Sequence, residues 1–406
     1  MRMKLGLTSA IGKRVLALAF VLGLAAIVAP LVQGQTFSVV HSFTGGSDGG
    51  ASLAGFTIDA DGNLYGTASY GGTTEYGVVF KVSNTGEETV LHDFVGGTDG
   101  ANPDGRLLRD SAGNLYGTTF AGGAFGAGTV FKLTAQGKET VLYSFTGKTD
   151  GAKPYAGLIM DAVGNLYGTA TAGGSNGTGT VFELTIPVKK GGRWREKVLH
   201  SFHAGTDGAT PIAGVTFDAT GNVYGTTSAG GIYGFGTIFK LSPSQSGWRE
   251  SILHNFQNAT DGAVPYAGLV FDQAGNLYGA AAEGGTGSDV GGTIFKLTPA
   301  GHGWTFSVLY SLPGWDISGT FRDVLFDASG NLYATTHCDG AYESGTVYKL
   351  TPSNGTWTYT SLYVFTGGSD GQYSFSNLVF DKQGNLYGTT NVGGANNFGV
   401  IFKIAP

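Results

Sequence analysis

The residues best suited to chemistry in this chain lie between residues 315 and 343. An imidazole that titrates near neutral pH can act as a general base, and a carboxylate beside it can hold the ring in place. His337 with Asp323 or Asp339 is the set that such chemistry would use. One hypothesis is therefore an enzyme with a lactonase-like or lyase-like activity.

The same stretch supports a second hypothesis, in which a loop face binds a glycan, a peptide or a surface protein. Its candidate ligand-binding residues are aromatic, charged or amide side chains, and most of them stand where other copies of a repeat carry small residues. They are Trp315, Asp316, Arg322, Asp323, His337, Asp339, Tyr342, Glu343 and Asn377. Departures from a regular pattern are common at functional sites, and drift of a degenerate repeat is the alternative explanation. We favour the binding module because the chain shows no complete catalytic motif.

One departure concerns a glycine that precedes the first strand of each repeat. Five units are assigned a glycine there, namely Gly55, Gly105, Gly157, Gly214 and Gly268. The sixth unit has Asp323, preceded by Arg322, and the seventh has Asn377. These changes place titratable and amide groups next to loops that we expect on the same face.

Other chemically capable residues recur too regularly to mark one site. Each unit has one Asp at the turn before strand A, and in all units but the sixth this Asp is followed by Gly. An Asp in such a turn can accept hydrogen bonds from the backbone of its own turn. The alternative is that these carboxylates bind cations or sugar hydroxyls. These residues are Asp48, Asp99, Asp150, Asp207, Asp261, Asp316 and Asp370. Apart from His337, the histidines lie in outermost strands, loops or outer hairpins, far from the axis, so we expect no shared metal site. We also expect no cofactor. Four tryptophans in outer hairpins either cover the hydrophobic rim or stack on sugars: Trp194, Trp248, Trp304 and Trp357.

The elements that position these residues come from a sevenfold repeat. Near-copies of Gly-Asn-Leu-Tyr-Gly recur every 51 to 57 residues, starting at Gly62, Gly113, Gly164, Gly221, Gly275, Gly330 and Gly384. Each unit contains four short runs of β-branched, aromatic or aliphatic residues bounded by Gly, Asp or Asn, which is typical of strands. We name them strands A to D. Asp-x-x-Gly-Asn between A and B predicts a tight hairpin.

Seven four-stranded units predict an all-β, seven-bladed β-propeller. The mature chain begins with a D strand, within residues 36–43, and its last strand, within residues 400–404, is a C strand. The first segment is therefore predicted to complete the last blade and close the ring, which hides two strand edges. A solenoid is the competing repeat fold.

Residues 1–34 have basic residues before an apolar run, which predicts a signal peptide followed by one propeller domain over residues 35–406. We expect a secreted monomer, extracellular or periplasmic, with no membrane span once the signal is removed. The formal charge is −6, and the predicted signal contains four of the basic residues, so a nucleic-acid partner is disfavoured. The single cysteine, Cys338, excludes an intrachain disulfide.

The combined pattern resembles a known family. D-x-x-G-N-L-Y-G-T-T is followed by G-G, by G-T-V-F-K-L and by V-L-Y-S-F with T-D-G-A. This combination is similar to the choice-of-anchor tandem-repeat family known as GloVer, over residues 36–406. The resemblance implies an exported bacterial repeat protein and brings no catalytic residues with it.

Overall fold

The computed structural model describes residues 35–189, 191–287, 290–301, 303–314 and 319–406. The predicted signal peptide, residues 1–34, lies outside the described residues, as do Trp315 and Asp316. The described part forms seven four-stranded antiparallel sheets arranged as a seven-bladed β-propeller. Within that part, helical structure is limited to one 3-10 turn, Gly97–Asp99, and no helix is long and apolar enough to cross a membrane.

The strands follow the predicted order A to D in every blade. The first strand of the chain is β1 (Thr36–Ser42). Blade 1 comprises β2 (Thr57–Ile58), β3 (Leu64–Ala68), β4 (Val78–Val82) and β5 (Glu88–Asp93). Blade 2 comprises β6 (Leu108–Arg109), β7 (Leu115–Thr119), β8 (Thr129–Leu133) and β9 (Glu139–Ser144). Blade 3 comprises β10 (Ile159–Met160), β11 (Leu166–Ala170), β12 (Thr180–Thr185) and β13 (Arg195–Ser201).

The remaining blades have the same order, and the outer hairpins of blades 4 to 6 are longer. Blade 4 comprises β14 (Thr216–Phe217), β15 (Val223–Thr227), β16 (Thr237–Ser244) and β17 (Gly247–Asn255). Blade 5 comprises β18 (Val270–Phe271), β19 (Leu277–Ala281), β20 (Val290–Ala300) and β21 (Gly303–Pro313). Blade 6 comprises β22 (Leu325–Phe326), β23 (Leu332–Thr335), β24 (Thr346–Ser353) and β25 (Thr356–Val364). Blade 7 comprises β26 (Val379–Phe380), β27 (Leu386–Thr389), β28 (Val400–Ala405) and the first strand, β1.

The ring closes as the sequence predicts. β1 pairs antiparallel with β28, from Thr36 opposite Ala405 to Ser42 opposite Val400. Phe43, which follows β1, is fully buried and meets Phe80 of blade 1 at a ring distance of 5.3 Å. The amino-terminal segment therefore supplies a strand to blade 7 and a core side chain to the next interface.

The Asp-x-x-Gly-Asn motif folds into a self-capped hairpin. Asp161 Oδ1 accepts hydrogen bonds from the backbone N–H groups of Val163 and Asn165, at 3.0 and 2.9 Å. Its Oδ2 accepts from Asn165 Nδ2 at 2.8 Å and from the Tyr167 hydroxyl at 3.2 Å. Gly164 adopts a φ of 97°, a conformation that side chains resist. The motif is thus explained by turn structure rather than by a ligand.

The aromatic residue of strand C packs between blades. A buried Phe after strand D of one blade meets the strand C Phe of the next, for example Phe94 with Phe131 at 5.2 Å and Phe202 with Phe239 at 5.2 Å, in edge-to-face geometry. The four outer-hairpin tryptophans are half-buried and pack against the blade cores: Trp194, Trp248, Trp304 and Trp357. The strand C aromatics therefore pack between blades, and the tryptophans cover the hydrophobic rim, which is the first of the two alternatives.

Glycines before strand A allow the blades to approach at the axis. A Cβ on Gly157 would lie 2.5 Å from the Arg106 carbonyl oxygen, and one on Gly55 would lie 2.1 Å from that of Asn377. Both distances are shorter than any real contact of this kind. Glycine at these positions therefore lets neighbouring backbones approach closely near the axis.

Candidate functional site

The axis of the propeller holds a pocket built from the residues just before strand A. Counted from the Asp that starts each D-to-A turn, the fifth residue is large and apolar in three consecutive units: Tyr155, Ile212 and Tyr266. The same position in the sixth and seventh units carries Phe321 and Phe375. These five side chains, with Phe120, Thr171, Thr210 and Arg322, line a cavity of about 330 Å³. This is the size range of small-ligand sites.

The aromatic rings of this cavity, here called the central pocket, form a wall made of two groups of rings in contact. Tyr266 stacks on Phe321 with ring centroids 5.0 Å apart and an interplanar angle of 14°. Phe321 meets Phe375 edge to face at 5.1 Å, and Phe120 meets Tyr155 edge to face at 6.2 Å. Since each ring comes from a different blade or loop, the wall exists only in the closed ring.

Arg322 forms the polar end of the central pocket. Its Nε donates to the Phe375 carbonyl at 2.9 Å and to the Leu53 carbonyl at 3.2 Å, which connects blade 6 to the turns before blades 7 and 1. The guanidinium carbon lies 4.9 Å from the centroid of the Tyr155 ring. The residue is only 8% exposed, and its Nη2 is buried without a hydrogen-bond partner among the described residues. A buried donor of this kind is costly unless a ligand or water satisfies it.

A carboxyl group lies near this guanidinium. Asp104 is buried, accepts a hydrogen bond from the Ser69 hydroxyl and is attracted by the positive charge of Arg322. Burial outweighs both effects and raises the pKa of Asp104 to about 6. At neutral pH, which is above this value, the carboxylate is mostly ionised and offsets charge on Arg322.

Arg322 also lines a second cavity, of about 370 Å³. Its side chain therefore lies between the central pocket and this second cavity. Arg106, Asp323 and Asn377 belong to this second cavity. Asp323 Oδ1 accepts from the Gly268 backbone N–H at 2.6 Å. Burial lowers the pKa of the Arg106 guanidinium, and the charge of Asp323 opposes that shift. Asp323 is thus engaged in the axial structure.

His337 lies behind the wall of the central pocket. Its ring is 4.2 Å from that of Phe375 and 5.3 Å from that of Phe321, and its Nδ1 is buried without a hydrogen-bond partner among the described residues. Burial lowers the pKa of His337 to about 4, so the imidazole is neutral at physiological pH.

Asp339 lies in a different environment. Its carboxylate accepts from the Thr336 hydroxyl and lines a separate cavity with Pro313 and Tyr359. Within the described part of the chain, no hydrogen bond or ion pair joins His337 to Asp323 or Asp339. The arrangement required by the enzyme hypothesis is not present in this geometry.

The predicted ligand-binding set is therefore divided. Arg322, Asp323 and Asn377 come together at the axis, while Tyr342 and Glu343 lie on an exposed loop. Trp315 and Asp316 lie outside the described residues. The aromatic wall was not predicted, although the sequence carries its signal as a large residue five positions after the turn aspartate.

One assignment in the sequence analysis was wrong. The glycine of the second unit was taken as Gly105, but the residue seven positions after Asp99 is Arg106, matching Gly157 seven positions after Asp150. Arg106 lines the second cavity with an exposed side chain, and its Nε donates to the Phe56 carbonyl at 2.9 Å. The second unit thus departs from the repeat as the sixth unit does, and it contributes a second arginine.

The turn aspartates act as caps, as predicted. Asp150 Oδ2 accepts from the Thr146 backbone N–H and from the Tyr143 hydroxyl, each at 2.8 Å. The equivalent backbone bond is made by the other described members, Asp48, Asp99, Asp207, Asp261 and Asp370. In four interfaces the strand D partner of this Asp is a histidine: His41, His92, His200 and His254.

The expectation of no shared metal site was based on the outer position of the histidines, and at one interface two of them lie beside the same carboxylate. His200 Nε2 lies 3.0 Å from Asp207 Oδ1 and 3.5 Å from Glu250 Oε1, although Glu250 belongs to the next blade. His203 Nδ1 lies 2.7 Å from Asp207 Oδ2. The pattern within one unit does not indicate a contact between strands of different blades, so this group was not predicted.

The fold and the repeat agree with a known family. The model of the Gloeobacter/Verrucomicrobia repeat matches residues 23–234 and 213–406. The chain belongs to this repeat family. No curated protein matches the sequence of this Gloeobacter/Verrucomicrobia repeat protein.

Solved structures resemble the chain in fold alone. The extracellular domain of a hybrid two-component system from B. thetaiotaomicron superposes with a TM-score of 0.59 at 10% identity, over 90% of this chain and 39% of that one. The Gloeobacter/Verrucomicrobia repeat protein thus spans well under half of that domain. A polysaccharide lyase of family PL25, an ulvan lyase solved with -[GlcA(1-4)Rha3S]-, superposes with a TM-score of 0.53 at 12% identity, over 89% of this chain and 95% of that one.

Proposed function

We propose that this protein is a secreted binding module whose central pocket takes a sugar residue that carries a carboxylate or a sulfate. The observation that supports it is the buried, unpartnered Nη2 of Arg322 at the end of an aromatic cavity. The predicted signal peptide at residues 1–34 supports export.

The lining of the pocket suits such a ligand in two ways. The apolar face of a sugar ring packs on aromatic side chains, and Tyr155, Tyr266 and Phe321 present such faces. A guanidinium favours oxyanions because its planar fork matches their geometry. Arg322 already uses Nε for two backbone carbonyls, which holds the group in place and leaves Nη2 for the ligand.

The test is isothermal titration of the mature protein with matched acidic and neutral oligosaccharides. We expect binding of the acidic members and at least tenfold weaker binding of their neutral counterparts. Arg322→Met should remove the preference for the acidic members. Phe120→Ala, at the half-buried rim of the pocket, should weaken binding without removing that preference.

Two controls separate the pocket from the exposed loop of blade 6. Tyr342→Ala removes an exposed aromatic that does not line the pocket, and it should leave affinity unchanged. Circular dichroism must show that each variant is folded. Binding that survives both Arg322→Met and Phe120→Ala, or binding that Tyr342→Ala abolishes, would assign the ligand to another surface. Failure of every acidic saccharide to bind would refute the proposal.

A further inference from the structure

The interface between blades 3 and 4 gathers four metal-ligating side chains. His200 is on β13, His203 and Asp207 are in the turn that follows it, and Glu250 is on β17. His200 Nε2, Asp207 Oδ1 and Glu250 Oε1 all lie within 4.8 Å of one another. We propose that these four residues bind a divalent transition-metal ion, with Zn²⁺ as the reference ion, and that the ion joins the two blades.

The distances suit one ion. Tetrahedral zinc with bonds of about 2.0–2.2 Å holds neighbouring ligand atoms about 3.3 Å apart. The distances from His200 Nε2 to Asp207 Oδ1 and to Glu250 Oε1 are 3.0 and 3.5 Å. His203 Nδ1 is 2.7 Å from the second Asp207 oxygen, so a small rotation of this 61% exposed side chain would bring it to the ion.

The other three candidate ligands are largely buried, so their positions are fixed by the fold. The side chains of His200, Asp207 and Glu250 are 15%, 6% and 14% exposed. Glu250 Oε1 has no hydrogen-bond partner among the described residues although it faces His200. A cation at this position would satisfy that oxygen and would balance the two adjacent carboxylates. The exposed His203 leaves a path from solvent.

The combination of ligands is specific to this interface within the described residues. Elsewhere the position of His203 is occupied by a residue such as Thr44, Thr146 or Thr366, whose hydroxyl donates to the turn aspartate. The position of Glu250 carries a glutamate in the first three blades as well, namely Glu88, Glu139 and Glu196. It is aromatic in the last three blades, where Phe306 stacks on His254 and Phe37 stacks on Tyr363. The second imidazole, that of His203, is therefore what distinguishes this interface from the others in the described part of the chain.

The ligand types select the class of ion. Two imidazoles with two carboxylates favour Zn²⁺ and similar transition metals, whereas Ca²⁺ prefers six to eight oxygen ligands. The proposal consequently predicts that Zn²⁺ binds and that Ca²⁺ does not compete.

The neighbouring interface supplies a matched control. Between blades 2 and 3 the equivalent residues are Tyr143, Thr146, Asp150 and Glu196. The double variant H200Y/H203T therefore converts one natural interface of this protein into another, and it should fold. Reciprocally, Y143H/T146H should create a second site of the same type.

The experiment uses the mature, untagged protein after treatment with a chelator. Titration calorimetry with ZnCl2 should give one ion per chain, and the apparent unfolding temperature should rise with ZnCl2 but not with CaCl2. H200Y/H203T should lose both effects, and Y143H/T146H should bind two ions.

Three results would overturn the proposal. The first is the absence of zinc binding by the wild type. The second is zinc binding by H200Y/H203T that equals that of the wild type, which would indicate adventitious surface binding. The third is a wild-type thermal shift that Ca²⁺ reproduces, since hard oxygen ligands alone would then account for it.

Discussion

Three blade interfaces, in addition to that of Glu250, bury a glutamate against the turn aspartate of the preceding connection, and this arrangement should make stability depend on pH. The pairs are Glu88 with Asp48, Glu139 with Asp99 and Glu196 with Asp150. Burial first, and then the charge of the aspartate, raises the pKa of each glutamate from 4.5 to about 7. The Oε1 atom of each is buried without a hydrogen-bond partner among the described residues.

The sign of the effect follows from the direction of the pKa shift. Because the folded-state pKa is the higher one, the folded protein holds each proton between about pH 4.5 and 7 while the unfolded chain has released it. The associated stability is complete below pH 4.5 and is lost as pH rises through 7. The difference between the two pKa values corresponds to at most about 3 kcal/mol for each site. These side chains are half-buried, so solvent screening reduces the expected effect to about 1 kcal/mol each.

The perturbation is the triple variant E88Q/E139Q/E196Q, whose amides keep the shape of a protonated glutamate. At pH 8 the variant should be more stable than the wild type by about 3 kcal/mol, which corresponds to an apparent unfolding temperature higher by about 4 to 6 °C. At pH 4.5 the two proteins should differ little. Circular dichroism during heating at both pH values measures this difference.

A control distinguishes buried charge from a general effect of removing carboxylates. Glu75 and Glu87 are exposed, so E75Q/E87Q should not reproduce the gain at pH 8. The reasoning fails if the triple variant is no more stable than the wild type at pH 8, or if its gain is the same at both pH values.

Two further predictions concern ring closure and the axis. Deleting residues 35–43 removes β1 and Phe43 and exposes the edge of β28. We therefore expect a large loss of thermal stability, and we expect size-exclusion chromatography to show that the variant self-associates. A monomeric variant with an unchanged unfolding temperature would contradict the ring closure. Gly157→Ala should lower the unfolding temperature because its Cβ would lie 2.5 Å from the Arg106 carbonyl, whereas Gly303→Ala meets nothing within 4 Å and should be tolerated. Equal melting of these two glycine variants would show that the axis can relax around a side chain.

Most of the fold was predictable from the sequence because its signals are local. Asp161 and Asn165 make a turn with hydrogen bonds that span at most six residues, and the same turn recurs in every unit. The order of strands at the two ends of the repeat region predicted the pairing of β1 with β28. The last unit lacks a D strand of its own, and the D strand that precedes the first unit can take that place.

The candidate site was only partly predictable. Arg322, Asp323 and Asn377 were recognised as departures from the repeat, and they do meet at the axis. Asp339 was grouped with them by sequence proximity, yet the chain turns its side chain towards Tyr359. Proximity along a loop does not fix the direction of a side chain, since the backbone of that loop decides it.

The repeat motif by itself determined the number of blades, the order of strands and the capped turns, since each of these depends on residues within one unit. Only the tertiary structure decided that Arg322 reaches the carbonyls of Leu53 and Phe375, and that Glu250 faces His200. The physical reason is that both sets of contacts join different blades. Their distances depend on how seven similar sheets pack around one axis, which no single unit encodes.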